Sequence, residues 1–283
     1  MESDVSQYTS KAEKTVIYIF LFIVTLPILV GYVWLAISSF APITYGLIPH
    51  GGLTLKYWNF LTHTLPQRPS IWTVTLNTLI LAVGLTVLDV LISSMAGYAL
   101  SRIKFPGRKG FLSLTLILHA FPSVTLLIAI FFVLRLLHLY DTLLGVLLVM
   151  VSLQLPLGTW LMKGFFDNVS WDMERSALID GCTRLCAWWK IVLPNIRPGI
   201  AALSIFAFIT GWGEFLIPYT FTTTDAHATI AVFLQSLIGD STFVSYGQVA
   251  AVGLFQMIPV IIFFLFTQEY LLSIFSGGTK GTA

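Results

Sequence analysis

Long apolar runs, separated by short polar segments, dominate the pattern of hydrophobic and polar positions along the chain. A helix needs about 20 apolar residues to cross the hydrocarbon core of a membrane. Six runs meet this requirement and predict transmembrane helices at about 15–40, 71–100, 111–136, 142–162, 199–220 and 249–275. Lipid offers the backbone no hydrogen-bonding partner, so such runs must satisfy their own amides as helices. The predicted fold class is an all-α integral membrane protein.

Composition supports this class and excludes an ordinary soluble enzyme. The chain is 57% apolar and only 10% charged, with a mean hydropathy of +0.88. Soluble domains carry roughly 25% charged residues, and a soluble chain this apolar could not cover itself with polar surface. The first run is too long for a signal peptide and no small-residue cleavage site follows it, so we expect it to remain as a helix.

The loops indicate one membrane domain without a separate soluble domain. No loop is long enough to build its own core. We therefore expect a tail at 1–14, a transmembrane domain at 15–275 with one long polar loop at 163–198, and a second tail at 276–283.

The distribution of lysine and arginine predicts the orientation in the membrane. Twelve of the 15 lie in the two tails and in the loops around 102–109 and 163–197, and only Lys56, Arg68 and Arg135 lie in the others. Positively charged loops stay in the cytoplasm. We expect both termini to be cytoplasmic and the segments 41–70, 137–141 and 221–248 to be extracytoplasmic.

The stretch ERSALIDGCTRLCAWWKIVLPNIRP, from Glu174 onwards, concentrates charge in an otherwise apolar chain. Ser170 is suited to cap a short helix and Glu174 to face its positive end, while Gly181 can adopt the left-handed turn that ends it. Pro194 then breaks the backbone before the next span. Two interpretations remain open from the residues alone: a passive connection, or a surface helix that docks onto a cytoplasmic partner.

The cysteines and histidines predict no metal site. Cys182 and Cys186 have no histidine nearby, and we expect them to be small, reduced side chains on a cytosolic face. The five histidines, at positions 50, 63, 119, 138 and 227, are scattered along the sequence.

The same loop resembles the EAA motif of the permease subunits of ABC importers. Glu174, Ala177, the Asp180-Gly181 pair and the Leu193-Pro194 pair match that motif in type and spacing, whereas Arg175 stands where the second acid is usual and Ser176 where an alanine is usual. Three more stretches resemble the maltose-type G subunit of carbohydrate importers: the region from Asn77 to Gly110 with its ending YALSRIKFPG, ITGWGEFLIPYTF at 209–221 with Gly213 for the usual Asn, and the tail SGGTKG.

The resemblance implies a six-helix permease of the type I importer fold in a bacterial or archaeal inner membrane, with a cytoplasmic coupling helix. It implies four kinds of partner: a homologous second permease as a heterodimer, two copies of a cytoplasmic ATPase, an extracytoplasmic solute-binding protein and lipid. It implies a sugar or sugar-derived solute. ATP and Mg would be held by the ATPase, so this chain would bind no cofactor and have no catalytic residue. The absence of a Gly-x-x-x-x-Gly-Lys-Ser/Thr phosphate loop agrees with that expectation.

The resemblance and the polar residues in the spans together predict two sites. The residues expected at the ATPase are Glu174, Arg175, Ala177, Asp180, Gly181, Leu193, Pro194 and Lys280. Polar residues inside spans must face protein or water, and those considered for a solute pathway, with neighbouring aromatic residues, are Trp212, Glu214, Phe215, Tyr219, Gln256, Asn77 and Asp89. Gln154 is a weaker candidate of the same kind. For Asn77 and Asp89, hydrogen bonding between helices is the alternative role.

Two other functions compete with the importer. An ion-coupled secondary transporter would use paired charges near the membrane midplane, for which only Asp89 and Glu214 are available. A membrane enzyme is disfavoured because the sequence has neither a His-Glu-x-x-His nor a Gly-x-Ser-x-Gly motif.

Overall fold

A computed structural model describes residues 11–45, 48–239 and 244–275 of the chain, and these form helices almost throughout. The helices in chain order are α1 Lys11–Phe40, α2 Ile71–Arg102, α3 Arg108–Ala120, α4 Leu127–Leu136, α5 Leu143–Asp167, α6 Trp171–Ile179, α7 Arg184–Ala187, α8 Leu193–Asn195, α9 Arg197–Gly213, α10 Leu216–Phe221, α11 Ile230–Gly239 and α12 Tyr246–Phe275. Strands β1 Ile43–Tyr45 and β2 Ile48–His50 pair antiparallel. Short 3-10 helices cover Lys56–Leu61, Ser123–Leu126 and Asp225–His227, and a π-helical turn covers Trp188–Val192.

The predicted membrane class is confirmed. Within the described residues, four helices are long and apolar enough to cross a membrane, and two bent helix pairs raise this to as many as six spans. α1, α2, α5 and α12 correspond to the first, second, fourth and sixth predicted segments as continuous helices.

The third predicted span, 111–136, is not continuous. α3 ends at Ala120, and the chain bends by 93° before it continues through Ser123–Leu126 into α4. Pro122 explains the break, because proline lacks an amide proton and disfavours helical backbone at the residue before it. Phe121 accordingly adopts an extended conformation, with φ −73° and ψ 129°. Hydropathy alone could not show this bend.

The fifth predicted span, 199–220, is also broken. α9 ends at Gly213, Glu214 is extended with φ −66° and ψ 123°, and the short helix α10 follows. The segment 221–248, predicted as an extracytoplasmic loop, contains the apolar helix α11. The pattern gave no sign of the β1–β2 hairpin either.

The chain divides into two compact units. The first contains the described parts of 1–62 and 237–256. In it, α1 exposes apolar side chains all round, as a lipid-facing helix does. The Tyr57 hydroxyl donates to the Pro42 carbonyl at 3.1 Å, and the rings of Phe60 and Phe255 meet edge to face at 5.9 Å.

The second unit, 63–236 and 257 onwards, is built around α2, which packs along both α5 and α9. Glycines allow the close approach: a Cβ at Gly97 would lie 2.7 Å from the amide nitrogen of Lys163 on α5, and one at Gly211 would lie 2.7 Å from Cα of Ala82 on α2. Tyr98, Met162, Phe166 and Trp188 belong to one apolar cluster at one end of this packing.

Asp141 ties the α4–α5 turn to the segment after α10. Its Oδ1 accepts hydrogen bonds from the amides of Thr223 at 2.8 Å and Thr224 at 3.1 Å, and its Oδ2 accepts one from the Thr224 hydroxyl. Nδ1 of His227 lies 3.5 Å from Oδ1. Burial tends to raise the pKa of Asp141, but these hydrogen bonds to the carboxylate outweigh it and hold the pKa below its ordinary value.

The expectation of reduced cysteines is wrong for this structure. Cys182 and Cys186 form a disulfide, with Cα atoms 5.7 Å apart, between the end of α6 and α7. The chain turns at Gly181 and then enters a new helix, and this brings the two thiols within bonding distance.

Candidate functional site: a surface helix and a polar cavity

Helix α6 forms where the sequence predicted a short surface helix. The Ser170 side chain accepts from the amide of Asp172 at 3.2 Å, and Asp172 and Glu174 lie in the first turn. At the other end Gly181 has φ +87°, its amide donates to Leu178, and the amide of Cys182 donates to Ala177. This is the Schellman arrangement that ends helices at glycine. The predicted cap and turn are both confirmed.

Glu174 faces the interior of this subunit, so the structure favours an internal role for it over the predicted contact with the ATPase, which stays a prediction. The residue is only 3% exposed. The Tyr98 hydroxyl donates to its Oε1 at 2.6 Å, and Nε of Arg102 lies 3.0 Å from its Oε2. We call Tyr98, Arg102 and Glu174 the Glu174 clamp; it fastens α6 to the end of α2.

Arg102 is the centre of the clamp. Its Nη2 donates to the carbonyl of Val169 at 2.7 Å, and its guanidinium lies 4.6 Å from the ring centre of Trp171. The pattern of lysine and arginine indicates only a cytoplasmic charge at Arg102, yet the residue is 4% exposed. One signal was available: Tyr98 and Arg102 are four residues apart and therefore share one helix face.

The opposite face of α6 and the following turn are open. Arg175 is exposed, and its Nη1 lies 3.9 Å from Oδ1 of Asp172. Asp180 and Gly181 are exposed, whereas Ala177, Leu193 and Pro194 are partly buried. Lys280 lies outside the described residues.

Three large apolar side chains that were not among the predicted docking residues are exposed at the end of α6 and in the segment that follows it. Ile179 is 85% exposed, Leu185 66% and Trp189 60%. We call Arg175, Ile179, Leu185 and Trp189 the docking surface.

Three residues predicted for the solute pathway are enclosed by the protein. The amide nitrogen of the Asn77 side chain donates to the carbonyls of Ala226 and Ala228, at 2.7 and 2.9 Å. Asp89 is fully buried, accepts from Ser93 at 2.9 Å and faces Gly158 on α5. Trp212 is 2% exposed and its ring stacks on Phe208. For Asn77 and Asp89 these contacts favour the alternative role of hydrogen bonding within the protein, and the place of all three residues in a pathway stays a prediction.

Two of the predicted pathway residues, Glu214 and the weaker candidate Gln154, border a polar cavity, which we call the Glu214 cavity. Its volume is about 240 Å³. The wall is formed by Leu85, Leu118, His119, Phe121, Ser123, Met150, Leu153, Gln154, Thr210, Glu214 and Ile217. The Oε1 atom of Glu214 accepts from the amide of Ile217 at 3.1 Å, which fixes the partly exposed carboxylate at the break between α9 and α10.

The other residues predicted for the solute pathway do not line the cavity. Phe215 and Tyr219 stack with ring centres 4.9 Å apart, but neither borders the cavity. Gln256 belongs to the other compact unit, so its role in a pathway stays a prediction. His119, Ser123 and Thr210 were missed, since their proximity depends on the two helix breaks. Among the described residues, no group of three or more His, Cys, Asp or Glu side chains could hold a metal ion.

Comparison with known proteins identifies the class. Residues 89–273 match the family described as the binding-protein-dependent transport system inner membrane component. The chain is 35% identical over 206 residues to the sulfoquinovosyl glycerol transport system permease protein SmoH of Agrobacterium fabrum, covering 72% of each chain. It is 33% identical over 198 residues to the trehalose transport system permease protein SugB of Mycobacterium tuberculosis, covering 69% of this chain and 72% of that one.

A solved structure supports the fold. A chain in the crystal structure of a bacterial ABC transporter involved in the import of the acidic polysaccharide alginate superimposes with a TM-score of 0.78 at 22% identity, covering 93% of this chain and 99% of that chain. The chain therefore has the type I importer permease fold and belongs to the family of binding-protein-dependent transport system inner membrane components. It is a multi-pass permease subunit of an ABC importer in the inner membrane.

Proposed function

We propose that the chain forms one half of the translocation pathway for a sugar or sugar-derived solute and couples it to a cytoplasmic ATPase through α6 and the following turn. A homologous permease supplies the other half, as a heterodimer, and an extracytoplasmic binding protein delivers the solute. Two copies of the ATPase bind ATP and Mg and carry out hydrolysis, so this subunit is not catalytic. Both termini and α6 face the cytoplasm.

The observation that carries the coupling proposal is the two-sided character of α6. One side of α6 is fixed to α2 by the Glu174 clamp. Elsewhere on α6, Arg175 and Ile179 of the docking surface are exposed, and Leu185 and Trp189 are exposed in the segment that follows the helix. Exposed apolar side chains rimmed by charge mark sites of protein association. The docking surface can therefore receive force from a partner while the clamped side of α6 transmits it.

α2 links the two candidate sites. Its last turns carry Tyr98 and Arg102 of the clamp, and Leu85, further along the same helix, lines the Glu214 cavity. Movement of α6 therefore acts on a continuous helix that borders the cavity. This route through one rigid element and a salt bridge is the kind of physical network that carries coupling between distant sites.

The carbohydrate assignment is supported by the relatives. The matched permeases are named for sulfoquinovosyl glycerol and trehalose, and a third, MdxG of Bacillus subtilis, for maltodextrin; it is 34% identical over 206 residues. The polar side chains of the Glu214 cavity are of the types that hydrogen-bond hydroxyl groups.

The coupling proposal is tested by purifying the tagged chain from its host membranes and measuring the ATPase activity that accompanies it. Ile179→Asp places a charge on the most exposed apolar side chain of the docking surface and leaves the three clamp residues unchanged. We expect it to reduce the recovered ATPase activity by about tenfold or more, since desolvating a charge in an apolar interface is costly.

Leu53→Asp is the matched control, because Leu53 is 93% exposed in the loop between α1 and α2. It should leave ATPase recovery unchanged. Equal recovery with Ile179→Asp and Leu53→Asp, or no ATPase with the unmodified chain, would contradict the proposal.

A further inference from the structure

We propose that the Glu214 cavity is a solute subsite that accepts uncharged hydroxylated groups and rejects anions. This inference rests on the proposed function, because it describes what the permease half would admit. It assigns to His119, Ser123, Gln154, Thr210 and Glu214 a joint role in solute selection.

The position of the cavity is the first argument. Both broken helices end at it: the bend between α3 and α4 contributes Phe121 and Ser123, and the break between α9 and α10 contributes Glu214 and Ile217. Irregular backbone at membrane depth is tolerated where it is buried in protein or lines a water-filled cavity. Two such breaks converging on one cavity indicate a hydrated part of the protein.

The chemistry of the wall is the second argument. The imidazole of His119, the hydroxyls of Ser123 and Thr210 and the amide of Gln154 supply both donors and acceptors, and the Glu214 carboxylate supplies a strong acceptor. Sugar hydroxyl groups both donate and accept, so such a set can satisfy them. Leu85, Met150 and Ile217 provide apolar surface between the polar groups, as in other small-molecule sites.

The charge of the wall is the third argument. No lysine or arginine lines the cavity among the residues that the structure describes, and the only carboxylate there is Glu214. One oxygen of the Glu214 carboxylate accepts a hydrogen bond from the Ile217 amide, and this bond holds the negative charge in place beside the cavity. A fixed negative charge in a partly enclosed, partly apolar site repels an anion more than it would in bulk water, because the walls exclude part of the solvent that would screen it.

The size of the cavity agrees with a site that this chain shares with the second permease of the proposed assembly. Its volume of about 240 Å³ lies below the range of about 300–1,000 Å³ that is usual for small-molecule sites. The second permease of the proposed assembly would close the remaining side, and the subsite described here is the wall that this chain contributes.

The charge selectivity is tested by thiol modification of the whole transporter complex. In a Cys182→Ser/Cys186→Ser background, Ser123→Cys places the chain's single thiol in the cavity, and Leu53→Cys places one on an exposed loop as the control. The probes are two methanethiosulfonates, one carrying a trimethylammonium group and one a sulfonate. Peptide mass spectrometry measures the rate of modification at each position.

We expect the cationic reagent to modify residue 123 on the order of tenfold faster than the anionic one, after normalisation to residue 53. Glu214→Gln should bring that ratio close to one, since glutamine keeps an oxygen for the Ile217 amide and removes the charge. An unchanged ratio in Glu214→Gln would overturn the proposal.

The preference for hydroxylated ligands is tested by asking whether sugars protect the thiol at residue 123 from modification. Glu214 is unchanged in this experiment, so the result does not depend on the folding of Glu214→Gln. Maltose, trehalose and cellobiose are compared with maltobionate at equal concentration. We expect at least one uncharged disaccharide to slow modification of residue 123 and maltobionate not to do so. Equal protection by maltobionate, or none by any disaccharide, would overturn the proposal. Neither readout requires an ATPase, so a failure of the coupling proposal would leave both results interpretable.

Discussion

Two glutamates stand at the two candidate sites, and their environments are opposite. Glu174 is 3% exposed and held by Tyr98 and Arg102, while Glu214 is partly exposed and has one hydrogen bond, from the Ile217 amide. The first carboxylate joins two helices, and the second borders a cavity.

This difference teaches how to read an acid in a membrane protein. A charge in the membrane is tolerated if it faces protein or water. Glu174 faces protein and is compensated by Arg102, so its removal leaves a buried cation. Glu214 faces a cavity, so its charge can act on a solute. We expect mutations of Glu174 to affect stability and mutations of Glu214 to affect selection.

The largest expected effect separates the two residues directly. Glu174→Ala removes one partner of a buried ion pair and should lower the free energy of unfolding by about 3–5 kcal/mol. Glu214→Gln should lower it by less than about 1 kcal/mol, because the acceptor for Ile217 is kept. Thermal unfolding of the purified variants in detergent measures both. Similar losses of unfolding free energy in the two variants would contradict the distinction between a structural Glu174 and a solute-facing Glu214.

The compensated pair in the clamp can be tested further with Arg102. Arg102→Met together with Glu174→Leu removes both charges, so it should be less destabilising than Glu174→Ala alone. A double variant as unstable as the sum of its single variants would show that the two side chains do not interact.

Tyr98→Phe should have the next largest effect. It removes the hydroxyl that donates to Glu174 at 2.6 Å and keeps the ring that packs on Phe166. Hydrogen bonds to charged groups contribute about 1.5–3 kcal/mol, and we expect a loss in that range in the same unfolding measurement. Tyr219→Phe, on a side chain that is 56% exposed, is the control and should change stability by less than about 0.5 kcal/mol.

Gly97→Ala tests the α2–α5 contact that supports the clamp. An added Cβ would lie 2.7 Å from the Lys163 amide nitrogen and 2.9 Å from Cβ of Met162. We expect a loss of about 1–3 kcal/mol from overpacking. Gly164→Ala, on α5 with no atom within 4 Å of the new Cβ, should leave stability unchanged or raise it slightly. Equal effects of the two changes would mean that α2 and α5 are further apart than described.

The smallest effect concerns Asp141, a carboxylate anchored by hydrogen bonds outside the spans. Its pKa is lower in the folded protein, so its contribution to stability is present above the unfolded value of about 3.9 and is lost as the pH falls below it. Asp141→Asn should cost about 1 kcal/mol at pH 7. The difference between this variant and the unmodified chain should shrink below about pH 4 in unfolding curves; a difference that is constant with pH would contradict this account.

Local pattern sufficed for much of the fold. Hydropathy located the helices that became α1, α2, α5 and α12, and cap chemistry located Ser170 and Gly181 at the two ends of α6. Both signals depend on neighbouring residues in the chain. The 93° bend at Pro122 and the break at Glu214 were missed, because a run of apolar residues has the same mean hydropathy whether it is straight or bent.

The candidate site was less predictable than the fold. The sequence placed Glu174 at a partner, but its ligands lie on another helix, with Tyr98 separated from it by 76 positions. For Asn77 and Asp89 the sequence left two roles open, and only the packing favoured the structural one: Asn77 bonds to the segment at 226–228, and Asp89 is enclosed against α5. Glu214 kept its predicted place beside a cavity, although the residues that surround it there come from α2, α3, α5, α9 and α10.

The sequence by itself determined that this is a membrane protein of long apolar helices with a capped polar helix, because hydrophobic transfer and helix capping are sums of local contributions; its resemblance to importer permeases indicated the family. Only the tertiary structure decided that the charge of Glu174 is compensated by Arg102 and that the charge of Glu214 faces a cavity. The energy of a buried charge depends on the few atoms within about 4 Å of it, and those atoms arrive from distant parts of the chain when the helices pack.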